Sequence, residues 1–322
     1  MNTEMDREHM DECALRISVL CEDSLSRRGL VGEHGLSMLV ELPDARVLLD
    51  TGPSAATVRN ARGMGVELAP LDAIVVSHGH YDHTGGLEAM LAELGGARVI
   101  AHPLAFGPRY ALRGSGAPRY IGPPHTAEEY EGLGADLVLS AEPMQLGEGL
   151  WTTGEVPRGD GGGLGSEKLR VEHEGELVPD DFRDDVSLVA RIGDGLVVLT
   201  GCGHVGVCSI VAHAQRLMDV EPVHALIGGT HLVAADEPGV RRTADRLHQM
   251  GVATIAPCHC TGRRALALLR KAFRGDVMEA ATGDILESTQ DAPRPHVSTR
   301  GVLRATPPRS HSRPTPATGR RR

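Results

Sequence analysis

The stretch that decides the fold is Ser77-His78-Gly79-His80-Tyr81-Asp82-His83-Thr84-Gly85-Gly86, in which three histidines and an aspartate fall within six residues. The apolar run 73–76 precedes it, and apolar residues at helical spacing follow between Leu87 and Leu94, which predicts a buried strand, a polar loop and an amphipathic helix. Imidazole nitrogens and carboxylate oxygens are ligands for first-row metals. Four such groups in one loop are more than one tetrahedral ion takes, so the loop predicts two metal ions, with ligands drawn from His78, His80, Asp82 and His83.

The composition is that of a soluble globular protein, with 41% apolar and 24% charged residues in a chain of 322. The formal net charge of −10 argues against non-specific binding of nucleic acid by the folded part. The N-terminal residues are charged, and no apolar run is long enough to span a membrane. We therefore expect a cytoplasmic protein without a membrane partner.

The six cysteines form no C-x-x-C pair, so the sequence indicates neither a zinc knuckle nor a disulfide framework. Cys202 and Cys258 differ from the others because each lies near a histidine at the end of an expected strand.

The order of strands and helices predicts an α/β fold. Alternating apolar residues at 15–21, 36–42 and 46–50 indicate three sequential antiparallel strands. Strands and helices alternate afterwards, and the turn Gly193-Asp194-Gly195 between two apolar runs indicates a hairpin. We expect a four-layered αβ/βα sandwich, with helices outside two mixed sheets.

The chain divides into three parts by composition. Residues 1–13 are expected to be a flexible N-terminus, residues 14–288 one domain, and residues 289–322 a disordered tail rich in proline and arginine. The tail either contacts nucleic acid or acidic surfaces weakly or is simply solvated. The sequence leaves the oligomeric state open.

Two glycine-rich segments are expected to lack regular structure. Pro103 to Pro124 is either a loop that covers the substrate or a surface insertion, and Gly159 to Gly165 is expected to be a flexible loop.

Two further histidines follow buried strands. His204 comes after the apolar run 197–199, and His259 comes after 254–256. Ligands gather at the carboxyl ends of strands in layered α/β folds. We therefore expect His204 and His259 to join the histidine-rich loop as metal ligands.

The succession Asp50-Thr51-Gly52, the loop 78–83, His204 and His259 resembles that of the metallo-β-lactamase superfamily. A narrower resemblance, over about residues 14–287, is to the group named for the archaeal dihydropterin–ribofuranosylaminobenzene phosphate synthase. The stretches that carry it are Glu33-His34-Gly35-Leu36-Ser37, Ser77 to Leu87, Thr153 to Arg158, Gly201-Cys202-Gly203-His204, Gly228 to Leu232 and Pro257 to Gly262.

The resemblance also shows two departures from the wider superfamily. Glu155 stands where common members have a further histidine, and Cys202 stands where they have a metal-bridging aspartate. Either residue is thus a candidate ligand. Asp184-Asp185 is either a source of a carboxylate ligand or an acidic turn.

His231, which follows a Gly-Gly pair, either binds metal or substrate phosphate or packs within its loop, and His34 is a candidate of the same type.

The function that these residues predict is hydrolysis by hydroxide on two divalent ions, of which zinc is the first choice and iron or manganese the alternatives. Asp82 would orient the hydroxide and move a proton, and Asp50 would fix the histidine loop by hydrogen bonds. Arg158, together with His231, would receive an anionic group of a small substrate, with phosphorylated and pterin-like molecules as candidates.

Three other functions remain open from the sequence. An iron-dependent oxidoreductase of the same fold is one, although the diiron flavoprotein branch has glutamate where this chain has His80. A nuclease is the second, against which the acidic composition argues. A non-catalytic metal-binding protein is the third, against which the retained histidines argue.

Overall fold

The computed structural model describes residues 14–114, 116–159 and 166–298. Their strands lie in two large sheets and one small sheet. The strands of the first half are β1 (Leu15–Cys21), β2 (Ser37–Leu42), β3 (Ala45–Leu49), β4 (Ala73–Val75), β5 (Ala97–Ala101), β6 (Arg109–Ala111), β7 (Arg119–Tyr120), β8 (Ala135–Leu139), β9 (Gln145–Gly147) and β10 (Leu150–Thr152). Those of the second half are β11 (Leu169–His173), β12 (Glu176–Pro179), β13 (Leu188–Ile192), β14 (Gly195–Thr200), β15 (Val223–Gly229), β16 (Val252–Cys258), β17 (Asp276–Val277), β18 (Ile285–Ser288) and β19 (His296–Val297).

The first large sheet has eight strands in the order β19-β18-β1-β2-β3-β4-β5-β8. The strands β1, β2 and β3 are antiparallel, as the sequence predicted, and β3, β4, β5 and β8 are parallel. The sheet is therefore mixed, and its parallel part contains β4, the strand that precedes the histidine-rich loop.

The second large sheet has seven strands in the order β17-β16-β15-β14-β13-β10-β9. The hairpin between β13 and β14 is confirmed, with Ile192 paired to Gly195 across the turn. The strands β14, β15 and β16 are parallel, so their carboxyl ends lie at one edge of the sheet.

A third sheet, of four antiparallel strands in the order β12-β11-β6-β7, was not expected. The prediction that 103–124 lacks regular structure is wrong, because β6 and β7 lie within it and β6 pairs with β11. The pairing was hidden because its partner lies about sixty positions later, in a hairpin without strong apolar alternation. Of the predicted loop 159–165, only Gly159 belongs to the described residues.

The helices cover the outer faces of the two large sheets. They are α1 (Ala56–Met64), α2 (Tyr81–Thr84), α3 (Leu87–Leu94), α4 (Ala127–Gly132), α5 (Val207–Met218), α6 (Glu237–Gln249) and α7 (Arg263–Ala272).

Three groups of buried side chains separate the layers. The first lies between the two large sheets and includes Val19 and Val40 of one and Val197 and Ile227 of the other. The second packs α5, α6 and α7 on the outer face of the second sheet, and the third packs α1, α3 and Tyr130 on the outer face of the first. The order is helices, sheet, sheet, helices, so the predicted four-layered αβ/βα sandwich is confirmed.

Only part of the predicted tail is described. Residues 289–298 include β19, which pairs with Leu286 and Glu287 of β18, and the later residues of the tail lie outside the described part. Residues 1–13 lie outside it as well. Among the described residues, no helix has the length and apolar character that crossing a membrane requires.

The segment between β1 and β2 is held to the first sheet by Asn60 of α1, whose side chain is 1% exposed. The Asn60 amide donates to Leu20 O and Val31 O, both at 2.8 Å, and its carbonyl accepts from Val31 N–H at 2.8 Å. One side chain thus makes two hydrogen bonds to a segment that has little regular structure of its own and a third to β1.

We predict that Asn60→Ala lowers the free energy of unfolding by about 2–3 kcal/mol, because it leaves the buried carbonyl of Leu20 without this partner and also removes two part-buried hydrogen bonds to Val31. The matched control is Arg59→Ala, an exposed position on the same helix, where we expect a change within about 0.5 kcal/mol. Urea unfolding of the three proteins measures the difference. Equal midpoints for Asn60→Ala and Arg59→Ala would contradict this account of the segment.

Candidate metal centre

The predicted site residues lie where strands of both large sheets end. Asp50 follows β3 and the histidine-rich loop follows β4, while Cys202, His231 and His259 follow β14, β15 and β16. The carboxyl ends of the parallel strands of both sheets therefore meet at one edge of the sandwich, and their loops converge there.

The first cluster consists of three buried imidazoles. His78 Nε2 lies 3.0 Å from His80 Nδ1 and 3.2 Å from His204 Nε2. A tetrahedral zinc ion at its usual distance from three imidazoles would separate the nitrogens by about 3.3 Å. These distances are consequently close to those that an ion held by the three rings would impose.

Hydrogen bonds fix the tautomer of His78. Ser77 Oγ–H donates to Asp50 Oδ2 at 2.7 Å, so Ser77 Oγ has no proton left to give to His78 and accepts from His78 Nδ1–H at 2.9 Å. The proton on Nδ1 leaves the lone pair of His78 Nε2 directed into the cluster, as a metal ligand requires.

Burial keeps this cluster neutral. It lowers the pKa of His78 and His204 well below their usual value and that of His80 to about 4, with the neighbouring histidines adding to the shift in His78 and His204. Neutral imidazole is the form that binds a metal ion.

The second cluster consists of Asp82, His83 and His259. Asp82 Oδ2 lies 3.4 Å from His259 Nε2 and 3.9 Å from His83 Nε2. His83 Nδ1 lies 2.6 Å from Asp50 Oδ2, to which it donates, so its Nε2 faces the cluster. His259 Nδ1 contacts Asp23 Oδ1 at 2.9 Å, and its Nε2 is buried without a hydrogen-bond partner among the described residues.

The pKa values of the second cluster reflect its mixed charge. Burial would raise the pKa of Asp82, but His83 and His259 hold it below its usual range. Burial would lower the pKa of His259, but Cys260, Asp23 and Asp82 raise it well above the usual value. In the absence of a metal ion, a protonated His259 thus interacts favourably with the carboxylates of Asp23 and Asp82 beside it.

Cys202, which is 2% exposed, lies between the two clusters. Its Sγ is within 4.8 Å of ligand atoms of His78 and His204, and likewise of His83 and His259. Its closest contact is with His83 Nε2, at 3.2 Å. The thiol therefore occupies the position of a ligand shared by two ions.

The backbone is strained at three of the strand ends. Asp50, His231 and His259 have φ angles of 59°, 49° and 50°, in the left-handed region that side chains with a Cβ rarely adopt. Each costs of order 1–3 kcal/mol, and such strain concentrates at functional sites.

Gly79 lets the histidine-rich loop lie against its neighbour. A Cβ added there would overlap the carbonyl oxygen of Ala105, so no other residue fits between His78 and His80 without a shift of the backbone.

The other two candidate histidines lie beside the clusters. His34 is half-exposed, contacts Asp23 Oδ2 through Nδ1 at 2.9 Å, and has Nε2 at 3.6 Å from Asp82 Oδ2. The ring of His231 lies 4.1 Å from that of His204, and its backbone N–H donates to Cys260 Sγ.

Two candidates have other surroundings. Glu155 forms two hydrogen bonds with Arg183, at 2.9 and 3.0 Å, and lies 3.4 Å from His102 Nε2, so these polar contacts involve none of the six predicted ligands. Arg183 also lowers the pKa of Glu155. Arg158 is exposed.

Sequence reasoning missed several residues of the centre. Asp23 bridges His34 and His259, and the neighbouring Glu22 accepts from His259 N–H at 2.7 Å. Their position directly after β1, at the end of a strand, was the available signal. Cys260 offered a similar one, since it directly follows His259, whereas Phe182 carried none, because an isolated ring is an ordinary core residue.

The donor set fits two divalent ions. Buried imidazoles, an ionised carboxylate and a central thiol are the ligands that zinc and iron accept, and His259 Nε2, which faces the second cluster, lacks a hydrogen-bond partner among the described residues. One ion would be held by His78, His80 and His204, and a second by Asp82, His83 and His259.

Comparison with known proteins supports the resemblance drawn from the motifs. A model of the metallo-beta-lactamase superfamily matches residues 30–259. The 7,8-dihydropterin-6-methyl-4-(beta-D-ribofuranosyl)-aminobenzene-5'-phosphate synthase of Methanocaldococcus jannaschii is 30% identical, over 85% of this chain and 96% of its own. An uncharacterized protein of the same organism is 33% identical, over 77% of this chain and 91% of its own.

A solved structure is also similar. It is described as Tm1679, a metal-dependent hydrolase of the beta-lactamase superfamily, and it is 33% identical with a TM-score of 0.71. The match covers 85% of this chain and 99% of that one.

We predict that Asp50→Asn weakens the binding of one ion by about 10- to 100-fold, the usual effect of losing a carboxylate behind a ligating histidine. The oxygen of the new side-chain amide would accept from Ser77 N–H, which places the NH2 group beside His83 Nδ1. This arrangement favours the His83 tautomer that carries its proton on Nε2. Competition with a chromophoric chelator measures the loss. Asp136→Asn, at an exposed position, is the control, and a wild-type affinity in Asp50→Asn would refute the role of Asp50.

Proposed function

Because the chain belongs to the metallo-β-lactamase superfamily, we propose that it is a metal-dependent hydrolase with two divalent ions, zinc in the first instance. The observation that supports this most directly is the mutual approach of three buried imidazole nitrogens, at 3.0 and 3.2 Å, beside a second cluster built on Asp82. Nitrogen lone pairs that face one another across these distances repel, and in a buried place no water relieves the repulsion. A cation or a proton therefore has to lie between the nitrogen atoms.

Bound divalent ions would lower the pKa of a bound water towards ~7 and so supply hydroxide at neutral pH. They would also polarise the scissile bond. Asp82 is the proposed catalytic residue. Its Oδ2 faces His83 and His259, so a carboxylate oxygen is available to orient the attacking oxygen and to take up its proton.

Asp23 and His34 extend this arrangement towards the solvent. Asp23 holds His259 with one oxygen and His34 with the other, and the Nε2 of His34 lies 3.6 Å from Asp82 Oδ2. His34 is half-exposed and is therefore the group in this set that exchanges protons with water most readily.

For the substrate we propose a small anionic molecule, with phosphorylated and pterin-like compounds as candidates. The similarity to a relative whose name contains both a dihydropterin and a 5'-phosphate supports this class. Exposed arginines suit it as well, since the guanidinium of Arg119 lies 5.6 Å over the ring of Tyr81, the residue between His80 and Asp82, and Arg158 is exposed.

Transfer of a group to an acceptor other than water is the second candidate, favoured by the relative's name as a synthase. Both reactions would use the same ions and Asp82, and they differ in whether the attacking group is water or the hydroxyl or amine of an acceptor. The iron-dependent oxidoreductase is less well supported. The thiol of Cys202 and the histidine-rich ligands suit zinc as well as iron, so the ligand set gives no reason to prefer a redox metal.

We predict that the purified protein contains about two divalent ions per chain and that His80→Ala loses one of them. We further predict that His80→Ala lowers hydrolysis by more than about 100-fold, because the bound water loses the ion that activates it. Elemental analysis and a screen of phosphodiesters, phosphomonoesters, thioesters and lactones measure both effects. His173→Ala, which removes an exposed histidine of β11, is the matched control.

Activity that persisted in His80→Ala or after chelation would rule out this function. Incubating each substrate with and without an alcohol or amine acceptor separates hydrolysis from group transfer, since only transfer gives a product that contains the acceptor.

A further inference from the structure

The short segment between β12 and β13 contacts both loops that carry the ligands of the first ion. Asp184 Oδ2 accepts from Gly79 N–H at 2.9 Å, and Asp185 Oδ2 accepts from Val205 N–H at 2.8 Å. Gly79 lies between two predicted ligands, and Val205 directly follows a third. Two adjacent carboxylates thus bind one backbone amide in each loop.

Phe182 of the same segment packs against a ligand ring itself. Its ring is stacked on that of His204, with the centroids 4.3 Å apart and the planes 8° from parallel. It meets the His80 ring edge-to-face, with the centroids 6.3 Å apart. The stack fixes the plane of the His204 ring, whose Nδ1 has no hydrogen-bond partner among the described residues.

These three side chains are held firmly. Phe182, Asp184 and Asp185 are at most 1% exposed. Phe182 N–H donates to Asp180 Oδ1 at 2.8 Å, and Val186 N–H donates to Ser77 O at 2.8 Å, next to the first ligand. The segment is therefore ordered internally by Asp180 and tied to the histidine-rich loop through Asp184 and Val186.

Arg109 of β6 connects the third sheet to this segment. Its guanidinium is 2% exposed, with Nη2 at 2.6 Å from Asp184 Oδ2 and Nε at 3.5 Å from Asp180 Oδ2. Asp184 Oδ2 thus joins the third sheet to the amide of Gly79 through a single carboxylate oxygen.

We propose that Phe182, Asp184 and Asp185 form a ligand clamp, that is, a set of positioning residues that fixes His78, His80 and His204 at the geometry of the first ion. This inference rests on the proposed function, because it presupposes an ion at that cluster. None of the contacts described above joins the clamp to the second cluster, so we expect the clamp to affect only the first ion.

A role in folding alone would give a different result in a measurement of metal binding. Three carboxylates and an arginine in a buried turn would then stabilise the fold whether or not the neighbouring loops held an ion. The clamp acts on the metal because its partners are the amides next to the ligands, and small displacements of ligands weaken binding strongly.

The first test is Asp185→Ala, which removes the acceptor of Val205 N–H and leaves the Arg109 ion pairs in place. We expect the affinity of the first ion to fall by about 10- to 100-fold while the second ion is retained, as measured by chelator competition and by metal stoichiometry. Asp185→Asn keeps a carbonyl acceptor and should bind as the wild type does. Asp181→Ala, at an exposed position in the same segment, is the control.

The second test is Phe182→Leu, which keeps an apolar side chain and so guards against a failure of Asp185→Ala to fold. We expect it to weaken the first ion as well. In protein loaded with Co(II), the visible absorption of the first ion should change in shape, because the plane of the His204 ring is no longer fixed.

The outcomes separate the two proposals. A wild type that holds two ions, together with unchanged metal binding in Asp185→Ala and in Phe182→Leu, overturns the clamp and leaves the proposed function intact. A wild type that binds no ion overturns both. A loss confined to the first ion, restored in Asp185→Asn, supports the clamp, even if the thermal stability of Asp185→Ala also falls.

Discussion

The convergence of imidazole nitrogens in a buried space is the constraint on which the rest of the structure depends. His78 Nε2 lies within hydrogen-bond distance of one nitrogen of His80 and one of His204, and burial keeps the three rings uncharged. Nitrogen atoms at these distances need a cation or a proton between them. The surrounding structure therefore has to hold the rings in place, and the strained backbone at Asp50 and His259 is part of that cost.

Much of the candidate centre could be predicted because its proposed ligands come from local sequence patterns. The loop 78–83 is a continuous motif, and His204 and His259 each follow a buried strand of the parallel part of a sheet. The two-sheet sandwich followed from the alternation of apolar residues in the same strands. In each case the physical information was contained in a few neighbouring residues.

What could not be predicted depends on contacts between residues far apart in the chain. The third sheet pairs β6 with β11, and Asp23 reaches His259 across more than two hundred residues. Asp184 and Asp185 were weighed as ligands or as an acidic turn; they lie at a turn before β13, and no sequence pattern indicated their contacts with the amides of Gly79 and Val205. Glu155 was named by position in a motif, whereas its partners, Arg183 and His102, come from other segments.

The third sheet gives the region 103–124 a physical link to the candidate metal centre. A loop without regular structure in this region would be free to move without consequence for the histidine-rich loop. Arg109 instead anchors this region through Asp184, whose carboxylate also binds the amide between His78 and His80. A charge buried to this extent has no water to replace a lost partner, so displacement of β6 would leave Asp184 without its cationic partner and disturb the loop that it binds. Movement of the region 103–124 and the geometry of the first cluster would thus be coupled through one carboxylate.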